Sequence, residues 1–208
     1  MSKKVFMLVT TGKQPLEEVL CILRQIPDEA VDILQIREKH RTARELLTWY
    51  EKIAEIFPPE KIVINDRVDI AKAVQAGGVQ LAHHSLPPAM ARKVLGENVR
   101  IGCSVHSVHE AVISQQEGAD FLIFGHIFST PSKAGLPARG IEALRNVIGS
   151  VSIPVIAIGG IVPENTKQVL GTGCAGIAVM SSVFFHANPG EQVQSFREIL
   201  SSFKDEND

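Results

Sequence analysis

Eight short apolar runs alternate with eight segments of helical periodicity along the chain, and this alternation constrains the fold more than any other feature. The runs are rich in β-branched residues and lie at residues 5–9, 31–36, 61–64, 79–81, 100–104, 121–124, 154–158 and 176–179. The helical segments lie at residues 15–26, 42–57, 68–75, 87–95, 108–116, 140–148, 163–170 and 191–203. Such an alternation is typical of a parallel sheet whose strands are buried on both faces.

Eight βα units within 208 residues predict an α/β protein with a single-domain (β/α)8 barrel, near the lower size limit of that fold. The alternative is a doubly wound open sheet, which usually has five or six strands and a G-x-G-x-x-G fingerprint at its first βα junction. Here that junction reads T-T-G-K-Q-P over residues 10–15. No linker divides the chain, so we predict one domain over residues 1–208, with a frayed polar tail at residues 204–208.

Charge, hydropathy and cysteine content exclude several classes of protein. The formal net charge is −2 and no basic block is present, so nucleic-acid binding is not expected. The N-terminal apolar run at residues 5–9 is too short for a signal-peptide core and no run approaches the length of a membrane span, which predicts a protein without a membrane partner. The three cysteines show none of the paired spacings of zinc sites or redox dithiols. A reduced, cytoplasmic protein is therefore expected.

If the chain is a barrel, the polar residues after each strand meet at one mouth, where active sites of this fold lie. Gly159 and Gly160 follow the seventh run, and Met180 and Ser181 follow the eighth. Barrels commonly bind phosphate at this position through backbone N–H groups, and glycine allows the backbone to approach the anion. We therefore expect a phosphate-bearing substrate, although the glycines could instead serve only a tight turn.

Amide and charged residues follow the second and third runs. Arg37 and Lys39 lie two apart, so on an extended segment they point the same way and could share an anionic group, or form an exposed basic pair. Gln35 precedes them, while Asn65 and Asp66 could contact a ligand or cap the next helix. One carboxylate gives weak support for Mg²⁺, and the adjacent histidines of the fourth loop match no metal motif, so we expect no bound metal.

His126 is the strongest single candidate for chemistry. It follows the apolar run 121–124 at the mouth, where a histidine can titrate near neutrality and transfer a proton in either direction. The alternative is a buried histidine that is hydrogen-bonded to a neighbouring carbonyl. The loop after it is rich in hydroxyl and basic groups, and Ser104 ends the fifth run at the same mouth. These loop groups are Thr130, Ser132 and Lys133.

Five segments, in order over nearly the whole chain, resemble the thiamine phosphate synthase superfamily. They are L-Q-I-R-E-K at residues 34–39, I-N-D-R-V-D-I-A at 64–71, I-G-C-S-V-H at 101–106, G-A-D-F-L-I-F-G-H-I-F at 118–128 and I-P-V-I-A-I-G-G at 153–160. The resemblance implies a (β/α)8 barrel and a phosphorylated thiazole as ligand.

Two departures from the synthase pattern make the chain similar to the thiazole tautomerase (TenI-type) branch. Ser85 stands where the synthase has an aspartate as its second magnesium ligand, and His126 stands where it usually has proline. The loop reads T-P-S-K at residues 130–133, where the synthase pattern expects T-x-T-K. The G-H-I-F version at residues 125–128, with Gly135, Arg139 and Gly140 downstream, is typical of that branch.

The resemblance to this branch implies an isomerase that aromatises a carboxylated thiazole phosphate tautomer in thiamine biosynthesis, without metal or cofactor. His126 would move the proton, assisted by Ser104 or water. The phosphate would bind at Gly159, Gly160, Met180 and Ser181, and the carboxylate at Arg37, Lys39 or Lys133.

Two other functions and the oligomeric state stay open. One is a magnesium-dependent thiamine phosphate synthase, which couples a pyrimidine pyrophosphate to thiazole phosphate. It would retain Gln35, Arg37, Lys39, Asn65, Asp66 and Ser104. The other is a non-catalytic regulator that binds a thiamine intermediate. A homodimer is compatible with each of these functions.

Overall fold

A computed structural model of the protein describes residues 3–204. Eight strands form a closed parallel barrel in which each strand pairs with the next and β8 pairs with β1. The strands are β1 (Val5–Val9), β2 (Ile33–Ile36), β3 (Ile62–Asn65), β4 (Gly78–Leu81), β5 (Arg100–Val105), β6 (Phe121–Gly125), β7 (Val155–Ile158) and β8 (Gly176–Val179). The predicted (β/α)8 barrel is thus confirmed, and the open sheet is excluded.

The helices surround the barrel and agree closely with the predicted segments. They are α1 (Leu16–Leu23), α2 (Ala43–Ala54), α3 (Val68–Ala73), α4 (Pro88–Leu95), α5 (Val108–Gln116), α6 (Gly140–Ile148), α7 (Pro163–Leu170), α8 (Ser181–Phe184) and α9 (Pro189–Ser202). Helix α2 begins after Thr42 because Thr42 and Glu45 form a capping box. The four-residue helix α8, directly after β8, was not predicted. Of the predicted frayed tail, residues 205–208 lie outside the described residues.

The apolar side chains form two separate cores. A larger core fills the layer between the outer face of the barrel and the helices. A smaller one fills the barrel interior, and its members include Met7, Val63, Phe121 and Ile156. The barrel interior is therefore packed with apolar side chains, and the active site is expected at the carboxyl ends of the strands.

The first and last strands close the barrel at a glycine. Val5 of β1 pairs with Gly176 of β8. A Cβ atom at Gly176 would overlap the carbonyl oxygen of Val5, so the two backbones can meet at this distance only because position 176 has no side chain.

Asp32 ties the amino-terminal end of the barrel to helix α9. Its carboxylate accepts hydrogen bonds from the Phe6 N–H at 2.9 Å, from Lys3 at 2.6 Å and from Arg197 at 2.9 Å. The sequence predicted that the second strand begins at residue 31, but β2 begins at Ile33. The Val31 N–H donates to Asp28 O and so still belongs to the preceding 3-10 turn. Within residues 3–204, no helix is both long and apolar enough to cross a bilayer.

Candidate active site

A cavity of about 620 Å³ opens at the carboxyl ends of the strands. Thirteen of the fourteen predicted site residues line it: Gln35, Arg37, Lys39, Asn65, Ser104, His126, Thr130, Ser132, Lys133, Gly159, Gly160, Met180 and Ser181. Asp66 lies next to Asn65 and contacts two residues of the loop after β4. Sequence reasoning did not choose His83, His84 and His106 as site residues, although all three also line the cavity.

Three cations converge over the mouth. Burial lowers the pKa of Lys39, and the positive charges of Arg37 and Lys133 lower it further. Because Lys133 follows β6 and Lys39 follows β2, these loops approach each other from opposite sides of the eight-stranded barrel. Such a group of cations is suited to an anion that carries several charges.

A buried carboxylate positions the loop that carries Arg37 and Lys39. Glu38 is 5% exposed and accepts hydrogen bonds from the Thr10 hydroxyl at 2.8 Å and from the Gly12 N–H at 3.2 Å. Thr10 in turn accepts a bond from the Arg37 N–H at 2.8 Å. The loop after β1 is thus joined to the loop that carries Arg37 and Lys39. Sequence reasoning missed this role, because Thr10 and Glu38 are far apart in the chain.

Two amide side chains build a polar layer beneath the cations. Gln35 donates from Nε2 to Asn65 Oδ1 at 3.0 Å, and Gln80 donates from Nε2 to Ser104 Oγ at 3.0 Å. Gln80 is 1% exposed, and within the described residues its Oε1 atom is buried without a hydrogen-bond partner. These contacts hold Asn65 and Ser104 toward the cavity.

The strand ends of β7 and β8 supply backbone groups for an anion. Gly159 and Gly160 have φ values of +104° and +67°, which favour glycine. A Cβ atom at Gly159 would overlap His126 Cβ, and one at Gly160 would lie 2.7 Å from Phe128 Cβ. Ser181 begins helix α8, so its N–H and that of Ser182 have no acceptor within the helix. The predicted phosphate-binding residues therefore lie together.

His126 lies at the edge of the cavity and is 7% exposed. Its Nε2 atom lies 3.3 Å from the carbonyl oxygen of Leu136, and because a carbonyl only accepts, this arrangement requires a hydrogen on Nε2. Arg139 holds the same turn, since its Nε donates to Gly125 O and its N–H donates to His126 O, both at 3.0 Å. The role of His126 in proton transfer stays a prediction.

Asp66 is the carboxylate that the sequence suggested as a magnesium ligand. The Ser85 hydroxyl donates to its Oδ1 atom, and His84 Nε2 lies 3.8 Å from its Oδ2 atom. Within residues 3–204, no three His, Cys, Asp or Glu side chains are grouped as a metal site. Magnesium often takes only one or two carboxylates and completes its shell with substrate phosphates and water. The donor set therefore fits a magnesium ion that has one protein carboxylate.

Comparisons with known proteins show which family the chain resembles. Residues 6–183 match the family described as thiamine monophosphate synthase. A thiamine-phosphate synthase of Chlorobium phaeovibrioides (strain DSM 265 / 1930) is 44% identical over 160 residues, which are 76% of this chain and 77% of that protein. One of Pyrococcus abyssi (strain GE5 / Orsay) is 36% identical over 200 residues, which are 95% and 96% of the two chains. The solved thiamine phosphate pyrophosphorylase of Pyrococcus furiosus is 33% identical, with a TM-score of 0.82 and 96% of each chain covered.

These relatives correct the sequence-based function. The departures at Ser85 and His126 predicted a thiazole tautomerase and thus an isomerase, but the relatives are named as synthases, which are transferases. That prediction was wrong because two positions were given more weight than the rest of the chain. The superfamily itself was predicted correctly, and the chain belongs to the thiamine monophosphate synthase family.

Proposed function

We propose that this protein is a thiamine-phosphate synthase, a transferase that joins a pyrimidine diphosphate to thiazole phosphate and releases pyrophosphate. The observation that carries the proposal is a single mouth lined by two sets of anion-binding groups, one on the loops after β2 and β6 and one at the ends of β7 and β8. One set consists of Arg37, Lys39 and Lys133. The other consists of the glycine pair after β7 and the amino terminus of helix α8. Two phosphorylated substrates need two such sets.

The cations have a defined task in this reaction. The bond between the pyrimidine methylene carbon and the diphosphate oxygen breaks, its electron pair leaves with the diphosphate, and the thiazole nitrogen bonds to that carbon. Arg37, Lys39 and Lys133 would bind the diphosphate and stabilise the charge that develops on it as the bond breaks. Magnesium held by Asp66 would neutralise part of the same charge.

The remaining groups of the mouth would bind and orient the two rings. Backbone N–H groups near Gly159, Gly160, Met180 and Ser181 would hold the thiazole phosphate. Asn65 and Ser104, which are held by Gln35 and Gln80, would hydrogen-bond to the uncharged pyrimidine. Positioning two bound reactants in this way converts a bimolecular step into an effectively unimolecular one.

The proposal is tested by measuring pyrophosphate release and thiamine phosphate formation with both substrates and Mg²⁺. We expect equal amounts of the two products, neither of which forms when one substrate is omitted. Lys133→Met should lower kcat by about 100-fold, since it removes a charge-stabilising donor. Lys167→Met, on the exposed surface of α7, is the matched control and should leave kcat unchanged. Binding of thiazole phosphate without any pyrophosphate release would overturn the proposal and favour the regulator.

A further inference from the structure

His106 directly follows β5 and lines the same cavity as the cations of the proposed diphosphate site. It is half-buried, and because β5 pairs with β6, its loop lies next to the loop that carries Lys133. The positive charges of Lys133 and Arg139 both act on the imidazole. His106 is therefore a neighbour of the position where the diphosphate is expected.

Glu110, in the first turn of α5, holds the imidazole in one orientation. Its Oε2 atom accepts a hydrogen bond from the His106 N–H at 2.7 Å and lies 3.2 Å from His106 Nδ1. Because a carboxylate only accepts, the second contact requires a hydrogen on Nδ1. Ser107 fixes Glu110 in turn, since its hydroxyl oxygen accepts from the Glu110 N–H at 3.2 Å. Within residues 3–204, Nε2 of His106 has no hydrogen-bond partner, so this nitrogen is left for a ligand.

We propose that His106 is a further catalytic residue, which donates a hydrogen bond from Nε2 to the departing diphosphate and is oriented by Glu110. This inference rests on the proposed synthase function. A neutral imidazole with its hydrogen on Nδ1 has only a lone pair at Nε2, and an ionised phosphate oxygen has no hydrogen to donate to it. A hydrogen bond between the two atoms therefore forms only when Nε2 carries a proton.

The surroundings of His106 make this protonation depend on the ligand. Burial lowers the pKa of His106, and the charges of Arg139 and Lys133 lower it further, although Glu110 acts in the opposite direction. The imidazole is thus mainly neutral near pH 7 in the free protein. A bound diphosphate would offset the two positive charges and favour the imidazolium, so a proton passes from solvent to Nε2 on binding. The imidazolium then stabilises the negative charge that grows on the diphosphate as its bond to the pyrimidine carbon breaks.

The first test measures the binding of inorganic pyrophosphate without Mg²⁺ by calorimetry near pH 7, in buffers that differ in ionisation enthalpy. We expect the wild type to take up protons on binding. His106→Asn should remove that uptake and raise the dissociation constant by about tenfold, because one hydrogen bond to a charged group is lost. His109→Asn is the matched control, since His109 is exposed on α5 and does not line the cavity. It should behave like the wild type.

The second test separates the charge of Glu110 from its structural role at the start of α5. Glu110→Gln keeps an oxygen acceptor for the N–H and Nδ1–H of His106 but loses the negative charge that stabilises the imidazolium. We expect proton uptake to fall, while circular dichroism and thermal unfolding stay close to those of the wild type. Unchanged proton uptake in Glu110→Gln would overturn the role assigned to Glu110. Equal proton uptake and affinity in His106→Asn and the wild type would overturn the whole inference.

Steady-state kinetics distinguish this inference from the proposed function. In an active synthase, His106→Asn should lower kcat for pyrophosphate release by about 100-fold, because a donor to the departing group is lost. An unchanged kcat in that variant refutes the catalytic role of His106 and leaves the synthase function standing. Pyrophosphate binding that depends on His106, in a protein that forms no thiamine phosphate, refutes the synthase function and leaves His106 in the anion site.

Discussion

Gln80 shows that the mouth depends on a residue beneath its surface. It is almost fully buried, yet it donates a hydrogen bond to Ser104, which lines the cavity. The hydroxyl oxygen of Ser104 then accepts from Gln80, so its own hydrogen is available for a ligand. Gln80 is therefore a positioning residue, and its effect on substrate should pass through Ser104.

We expect Gln80→Leu and Ser104→Ala each to raise KM for the pyrimidine diphosphate by about tenfold, the usual effect of one lost hydrogen bond. The double variant should be no worse than either single one, because both changes remove the same contact. Steady-state kinetics of the four proteins measures this coupling. If the two effects multiply, Gln80 does not act through Ser104.

Ser85 is the residue that separates this chain from a two-carboxylate magnesium site. Ser85→Asp would add a second oxygen donor with negative charge next to Asp66, and should lower the dissociation constant for Mg²⁺ by about tenfold. Ser85→Asn has a similar size but no charge, and should give no such gain. Calorimetric titration with Mg²⁺ in the presence of pyrophosphate measures both. Equal affinity in the two variants would mean that Asp66 does not hold the metal.

Among the elements, the turn after β7 is sensitive to substitution at both of its glycines, which combine positive φ with close neighbours. Gly159→Ala would place a methyl group against His126 in a backbone conformation that L-residues rarely adopt, and should lower the free energy of unfolding by about 2 kcal/mol. Inorganic phosphate should also bind more weakly. Gly173→Ala is the control, because Gly173 has φ of +85° but open space around its Cβ. If both variants lose phosphate affinity equally, the turn is not the binding site.

The order of the elements could be predicted from the sequence because a strand buried on both faces has an unambiguous apolar run. Helix α8 was missed, since four residues are too few to show helical periodicity. The mouth was predicted because barrel topology alone gathers the strand ends. The contacts of Ser85 with Asp66 and of Gln80 with Ser104 could not be predicted, since they join neighbouring strands through side-chain geometry. Cytoplasmic location stays a prediction.

For the whole molecule, the ion pair between Asp32 and Arg197 of helix α9 makes the free energy of unfolding depend on pH. Although burial raises the pKa of Asp32, the hydrogen bonds from Lys3 and Phe6 and the charge of Arg197 outweigh burial and lower the pKa below its usual value. A lowered carboxylate pKa gives stability that is present above the unfolded-state pKa and is lost as pH falls through the folded-state pKa.

Asp32→Asn should therefore lower the free energy of unfolding by about 2 kcal/mol near neutral pH, with a smaller difference in acid. Urea denaturation over a series of pH values measures this. Asp69→Asn is the control, because Asp69 forms an exposed ion pair with Arg67 and such pairs contribute little. A difference between Asp32→Asn and wild type that does not change with pH would contradict the assigned pKa shift.

The pairing of β1 with β8 at Gly176 has a consequence for synthesis of the chain on the ribosome. β1 is made first, but one of its two edges has no partner until β8 has been translated, because no other strand pairs with that edge. At the usual rate of translation the delay is roughly ten to thirty seconds. During that interval an unpaired strand edge is open to aggregation or to chaperones, so the yield of native protein should depend on how the nascent chain is protected.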